Sequence, residues 1–145
     1  MIDVFIQNEA MSTHKRRYNE TTLEYLGSQT VSRPYPYPYG FILNTKSDDG
    51  DNLDCFVITR KPLQHGSIVS CHPLALLEQF EDGEIDHNVL ASLDDGQEVT
   101  DDVVDALRDF ILHVFDHISG KQIAVGRTLS RAAAIAHISR CTTIK

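Results

Sequence analysis

The sequence predicts an α+β fold, a small β-barrel with helices appended late in the chain. Three observations carry this expectation. Segments with strand-like alternation or β-branched content fill the chain from Ile2 to Leu93, and both helix-like segments come later, from Thr100 onward. No internal repeat divides the sequence. The 145 residues, 41% of them apolar, suit one core, so a single domain over residues 1–145 is expected.

Ile2 to Gln7 alternates apolar and polar residues as a half-buried strand does, and the polar run from Asn8 to Lys15 breaks it. Thr, Tyr and Val around Gly27 predict one or two strands between Tyr18 and Val31. Arg33 to Gly40 reads RPYPYPYG, where three prolines exclude a helix or a central strand. Phe41, Ile42 and Leu43 then lead the chain into a core strand. Turn formers crowd Thr45 to Asn52, and the β-branched and aromatic content of Leu53 to Thr59 predicts the strand they feed. After a turn from Pro62 to Gly66, Ser67 to Leu77 reads as a buried strand, Glu81 to Asp86 as a second acidic turn and Val89 to Leu93 as a last strand. A helix is expected from Thr100 to Ile118. Thr100 is its N-cap, Asp101 and Asp102 favour its first turn, and Gly120 stops it. Val103, Val104, Leu107, Ile111, Val114 and Phe115 give it one apolar face. Alanines with Ile135 and Ile138 predict a second helix from Ser130 to Ile138.

A formal net charge of −8 opposes the phosphates of a nucleic acid, so no nucleic-acid partner is expected. A small phosphorylated ligand remains compatible, because a bound divalent cation reverses the local sign of an acidic cleft. Cys55, Cys71 and Cys141 are odd in number and widely spaced, which suits a reducing compartment. The opening MIDVFIQNEA has neither a secretory pattern nor a membrane-spanning run. A cytoplasmic protein with no membrane partner is the expectation.

Asp49-Gly50-Asp51-Asn52-Leu53-Asp54 puts three carboxylates in one turn and strand start, where their mutual repulsion would raise their pKa values. A hard divalent cation relieves that repulsion, and magnesium, which keeps several waters and bridges to phosphate, suits an open site. Asp, Gly and Asn are also ordinary hairpin residues, so a solvated turn and a metal site both stand at this point. A calcium EF-hand loop does not fit, since Leu53 and Asp54 fall where that loop needs an oxygen ligand and a glycine. His113 and His117 are spaced for a shared transition metal, but the glutamate of the zinc-protease motif is missing. Cys55 and Cys71 sit in apolar strands and read as inert core residues.

At this loop the sequence resembles the soluble, family I inorganic pyrophosphatases, whose pattern is Asp-Gly-Asp-Pro-hydrophobic-Asp. The flanks extend the likeness from Tyr35 to Glu78: YPYPYGFI resembles the family's Tyr-Pro-x-x-Tyr-Gly-(Tyr/Phe)-Ile, and LQHGS its Leu-x-x-Gly-(Ser/Thr). HVFDH, from His113, is similar to the family's His-Phe-Phe-x-x-Tyr-Lys. The resemblance implies an OB-like, twisted five-stranded barrel and magnesium-dependent hydrolysis of pyrophosphate by a metal-activated water. It implies magnesium at Asp49, Asp54 and Asp86, with a further ligand at Glu81 or Asp82, and a role for Asp51 in orienting or deprotonating the attacking water. Tyr39 would hydrogen-bond the substrate or the metal-water network, and Lys15 would bind phosphate. A homo-oligomer is implied as well.

Several of the family's functional positions carry different chemistry here. Its first-strand glutamate aligns with Gln7, a second glutamate with Arg17, a phosphate-binding arginine at or near Gly27, a lysine with Asn88, and its Tyr-Lys pair with Ile118 and Ser119. Electrostatic stabilisation of the transferring phosphoryl group is most of this chemistry. Arg16, Arg17, Arg33, Lys121 and Arg127 are therefore the candidates to supply charge from shifted positions. The alternatives to pyrophosphate hydrolysis are hydrolysis of another small diphosphate compound, or a binding module of the same fold without turnover.

Overall fold

The computed structural model describes residues 1–143. Strand β1 (Ile2–Asn8) is followed by a hairpin of β2 (His14–Tyr18) and β3 (Tyr25–Thr30), then by β4 (Tyr39–Ile42) and β5 (Asp54–Val57). The long β6 (Ile68–Glu81) turns into the two-residue β7 (Glu84–Ile85) and leads to β8 (Asn88–Ser92). Helix α1 (Asp101–His113), strand β9 (Ile123–Leu129) and helix α2 (Arg131–Cys141) complete the order. Each pairs with the next in the series β1, β4, β5, β8 and β6, and β6 pairs back onto β1, so five strands close a ring. Every pairing in the ring is antiparallel except β5 with β8. The α+β barrel read from the sequence is the fold observed.

Alternation along each strand divides the apolar residues between two cores. Val4 and Ile6, Ile42, Cys55 and Val57, Cys71 and Leu76, and Val89 and Ala91 pack together inside the ring, with Ala134 and Ile138 of α2 against them. The intervening residues Phe56, Leu74, Leu77 and Leu90 face outward and are covered by Leu107, Phe110, Ile111 and Val114 of α1. Asp54, Asn88, Gln79 and Glu81 lie on that outward parity, where polar side chains continue the rows of apolar ones. One end of this outer core is therefore the polar edge on which a site can be built.

The structure revises several element boundaries. The run His14 to Tyr18, HKRRY, is a strand although it has almost no apolar residues, because β3 and the amide side chains of β1 hold it. Gln7 Nε2 donates to the Arg16 carbonyl, Asn8 Nδ2 donates to the His14 carbonyl at 2.7 Å, and the Arg16 N–H donates to Asn8 Oδ1 at 3.0 Å. Strand β9 lies between the two helices and pairs with the end of β6, where no element was expected. Helix α1 stops at His113, five residues short of Ile118. The Val114 carbonyl accepts from the Ser32 N–H at 2.9 Å, and tight turns bonded from Asp116 N–H to His113 and from Ile118 N–H to Phe115 take over. Helix α2 runs on to Cys141, three residues past Ile138. Asp82 and Gly83, both with positive φ, make the two-residue turn between β6 and β7.

Candidate active site

The carboxylates meet because β5 and β8 run parallel. Their register pairs Asp54 with Asn88, so Asp86, two residues ahead of Asn88, arrives beside Asp54 at the same end of the ring. Tyr39, on the neighbouring β4, stands opposite Phe56 and contacts its ring at 4.9 Å between centroids, which brings its hydroxyl to the Asp54 carboxylate. The loop before β5 is held by its own polar groups. The Asp51 N–H donates to Asp49 Oδ1 at 2.9 Å, Ser47 Oγ bonds the same oxygen, and the Asp51 carbonyl accepts from the Ser47 N–H at 2.8 Å. Gly50 at φ +90° allows this tight path.

Together these groups line an open cleft of about 520 Å³ between the ring and the β2–β3 hairpin. Asp49, Asp51, Asp54, Asp86, Glu81, Tyr39 and Lys15 all border it. Of the two alternatives for a further acidic ligand, Glu81 is in the cleft. Asp82 is exposed on the turn beyond, accepting the Gln122 N–H at 3.0 Å. Behind the cleft a recess of about 100 Å³ continues under α1, bordered by Lys15, Tyr39, Asp54, Asp86, Phe115 and Lys121 among others.

Alternation in β2 decides which cations reach the cleft. Lys15 and Arg17 share one face and border it, whereas Arg16 on the other face pairs with Glu9 at 2.9 Å. Arg17 stands directly across the hairpin from Gly27. Arg127 is tied to Glu78 at 3.0 Å, and Arg33 lies near Asp116, so neither borders the cleft. Lys121 borders the recess and pairs with Glu81. At the substituted positions, Gln7 lines the cleft while its amide braces β2, and Asn88 is buried and donates to Gln79.

The electrostatics are those of crowded carboxylates that Lys15 offsets only in part. Burial, then the neighbouring Asp86, pushes Asp54 well above the ordinary carboxylate range, and Lys15 and the nearby Tyr39 hydroxyl act against the rise. Burial also raises Asp86, with Glu81 and Asp49 adding repulsion. Tyr39 is pushed up by burial and by Asp54, so its hydroxyl stays a donor. Glu20, which the sequence reading missed, joins the cleft from the turn between β2 and β3. Its pKa is pushed up to about 7 by burial and by Asp51 and Asp49, although it accepts the Asn52 N–H at 3.0 Å. A solitary glutamate in a polar turn carries no local pattern that marks it. Among the described residues no three His, Cys, Asp or Glu side chains are grouped so as to hold a metal ion between them. The donor set is carboxylate oxygen spread around an open cleft, which fits a hydrated hard cation better than an enclosed one. His113, the last residue of α1, bonds Asp116 at 3.0 Å, and His117, in the turns beyond the helix, bonds Ser32 at 2.7 Å, so the two are engaged elsewhere.

Residues 5–143 match the family described as inorganic pyrophosphatase. The chain belongs to this family. An inorganic pyrophosphatase from Aquifex pyrophilus is 36% identical over 90 residues, 57% of this chain and 51% of that protein. One from Nostoc sp. is 31% identical over 121 residues, covering 82% of this chain and 70% of its relative. The chain spans about half the length of the first of these inorganic pyrophosphatases. A solved inorganic pyrophosphatase from Coxiella burnetii superposes with a TM-score of 0.88 at 24% identity, over 96% of this chain and 91% of that one. That likeness carries the fold. No helix among the described residues is long and apolar enough to cross a membrane.

Proposed function

We propose that this chain hydrolyses inorganic pyrophosphate to two phosphates, with magnesium as its cofactor. The observation that carries the reading is the convergence of Asp49, Asp51, Asp54 and Asp86 with Tyr39 and Lys15 on one cleft in a chain of this family. Asp49, Asp54, Asp86 and Glu81 are the residues that would hold magnesium. The half-buried Asp54 and Asp86, each raised by desolvation and by neighbouring carboxylates, gain most from a cation. Bound magnesium supplies neutralisation of phosphoryl charge and acidifies water.

The remaining chemistry belongs to the side chains. Lys15 and Arg17 hold phosphoryl oxygens at the hairpin side of the cleft, and Tyr39 donates a hydrogen bond from the floor. Asp51, on a loop fixed by Ser47 and Asp49, orients the attacking water and takes its proton. The water oxygen forms the new bond to phosphorus, and the bridging P–O bond breaks with its electron pair leaving on the second phosphate. A cytoplasmic setting and assembly into a homo-oligomer belong to the same reading. A second reading is a diphosphate-binding module without turnover. It is favoured by Asn88, whose amide is spent on Gln79 where the family has a lysine.

Phosphate release from pyrophosphate and magnesium tests the reading, with Asp51→Asn as the decisive variant. Loss of the base should cut the rate by roughly 10²–10⁴-fold with the fold intact. Tight pyrophosphate binding by the wild type with no release supports the module, and no binding at all removes both readings. Release only from another diphosphate keeps the mechanism and changes the substrate.

A further inference from the structure

Lys121 lies outside every motif in the sequence, yet the fold brings it to the catalytic recess. The chain leaves α1 at His113, passes Gly120 at φ +86° and enters β9 alongside the end of β6. Lys121 therefore stands beside Glu81, the last residue of β6, and its ammonium pairs with that carboxylate. The same Nζ sits 4.3 Å from the centroid of the Phe115 ring. Lys15 Nζ, from the opposite side of the site, sits 5.2 Å from the same ring. One aromatic ring thus holds two ammonium groups from elements far apart in the chain, and both border the recess containing Tyr39, Asp54 and Asp86.

A surface lysine pairing one glutamate contributes little and is mobile. Lys121 differs in having two restraints that aim it inward, the Glu81 carboxylate and the ring face. It is also about 31% exposed at the side chain, not free in solvent. Two ammonium groups beside one aromatic ring can share the oxygens of a single phosphoryl group once a divalent cation neutralises the acidic cleft around it. Arg127, tied to Glu78, and Arg33, near Asp116, border neither the cleft nor the recess.

We propose that Lys121 is a substrate-binding residue which, with Lys15 across Phe115, holds the second phosphoryl group of a magnesium-complexed diphosphate. The proposal rests on the function proposed above. It assigns a role to a residue outside the family motif quoted from the sequence.

The test is calorimetric binding of imidodiphosphate, an analogue with a nitrogen bridge, in the presence of magnesium, together with phosphate release from pyrophosphate. Both are measured for the wild type, Lys121→Ala, Lys121→Arg and Arg127→Ala. Lys121→Ala should weaken analogue binding by about tenfold or more and raise KM, since a charge-assisted phosphate contact is lost. Lys121→Arg should restore much of the affinity, and Arg127→Ala should leave it unchanged. Unchanged affinity in Lys121→Ala, with the wild type binding and turning over, overturns this inference and leaves the pyrophosphatase reading standing. A lowered melting temperature with unaltered affinity also overturns it, by assigning Lys121 a structural role. Absence of wild-type binding to the analogue overturns both.

Discussion

Glu20 illustrates how the cleft stores unfavourable charge. Its folded-state pKa of about 7, against an ordinary 4.5, means that the folded chain holds a proton that the unfolded chain has already released. The stability this contributes is present in full below pH 4.5 and is lost as pH rises toward 7. The metal-free protein should therefore melt lower at pH 8 than at pH 5, with Glu20 accounting for about 1–2 kcal/mol after allowance for solvent screening. Glu20→Gln removes that ionisation and should flatten the dependence. Melting curves in chelator at the two pH values check this, and an unchanged slope in the variant would count against the raised pKa. Asp54 and Asp86 are shifted in the same direction, so the wild-type slope exceeds what Glu20 alone supplies.

At the scale of elements, the close approach of β1 and β4 positions Tyr39. Gly40 lies against Phe5, and a Cβ there would stand 1.8 Å from the Phe5 carbonyl oxygen, so any side chain must push the strands apart. Gly40→Ala should cost roughly 3 kcal/mol or more in denaturant unfolding, an overpacking penalty with a backbone shift added. It should also lower activity through Tyr39, its neighbour. A cost below about 1 kcal/mol would show that the two strands yield easily. Elements with an apolar signature were legible in the sequence: β1, β5, β6 and β8 alternate or run apolar, and α1 has both its cap and its stripe. The β2–β3 hairpin was only half legible. HKRRY owes its strand to amide braces from Gln7 and Asn8, which are contacts between distant segments. Strand β9 was illegible for a related reason. Its alternation is interrupted by Gly126, which lies close under Glu78 and where a Cβ would meet Glu78 Oε1 at 2.9 Å. The end of α1 is set by Ser32, 82 positions before Val114 in the chain, and no local signal marks it. The acidic loop was legible because its members are adjacent. Asp86 and Lys15 came from family likeness, while Glu20 had to await the tertiary fold. Lys121 stood in the sequence only as one of five candidate cations, and its pairing with the Phe115 ring is a tertiary fact.

For the whole molecule, the net charge of −8 and the unneutralised cleft act in the same direction, since both are relieved by one bound cation. A ligand that binds only the folded state stabilises it by RT ln(1 + [L]/Kd), about 2.7 kcal/mol at a hundredfold excess over Kd. For a chain of this size that is a rise in melting temperature on the order of 5–10 °C. Magnesium should produce such a rise in chelated wild-type protein. General screening of a negative molecule by a divalent salt would also produce a rise, so the comparison needs a variant that separates site from field. Asp54→Asn removes one negative charge of many, and it is a carboxylate that burial and the neighbouring Asp86 hold well above its ordinary pKa. The metal-free variant should melt higher than the metal-free wild type, because the cost of a buried ionised carboxylate is gone. It should then gain little from magnesium, because the site has lost its most buried ligand. If the variant gains as many degrees as the wild type, the stabilisation comes from the overall field, and Asp54 does not hold the cation.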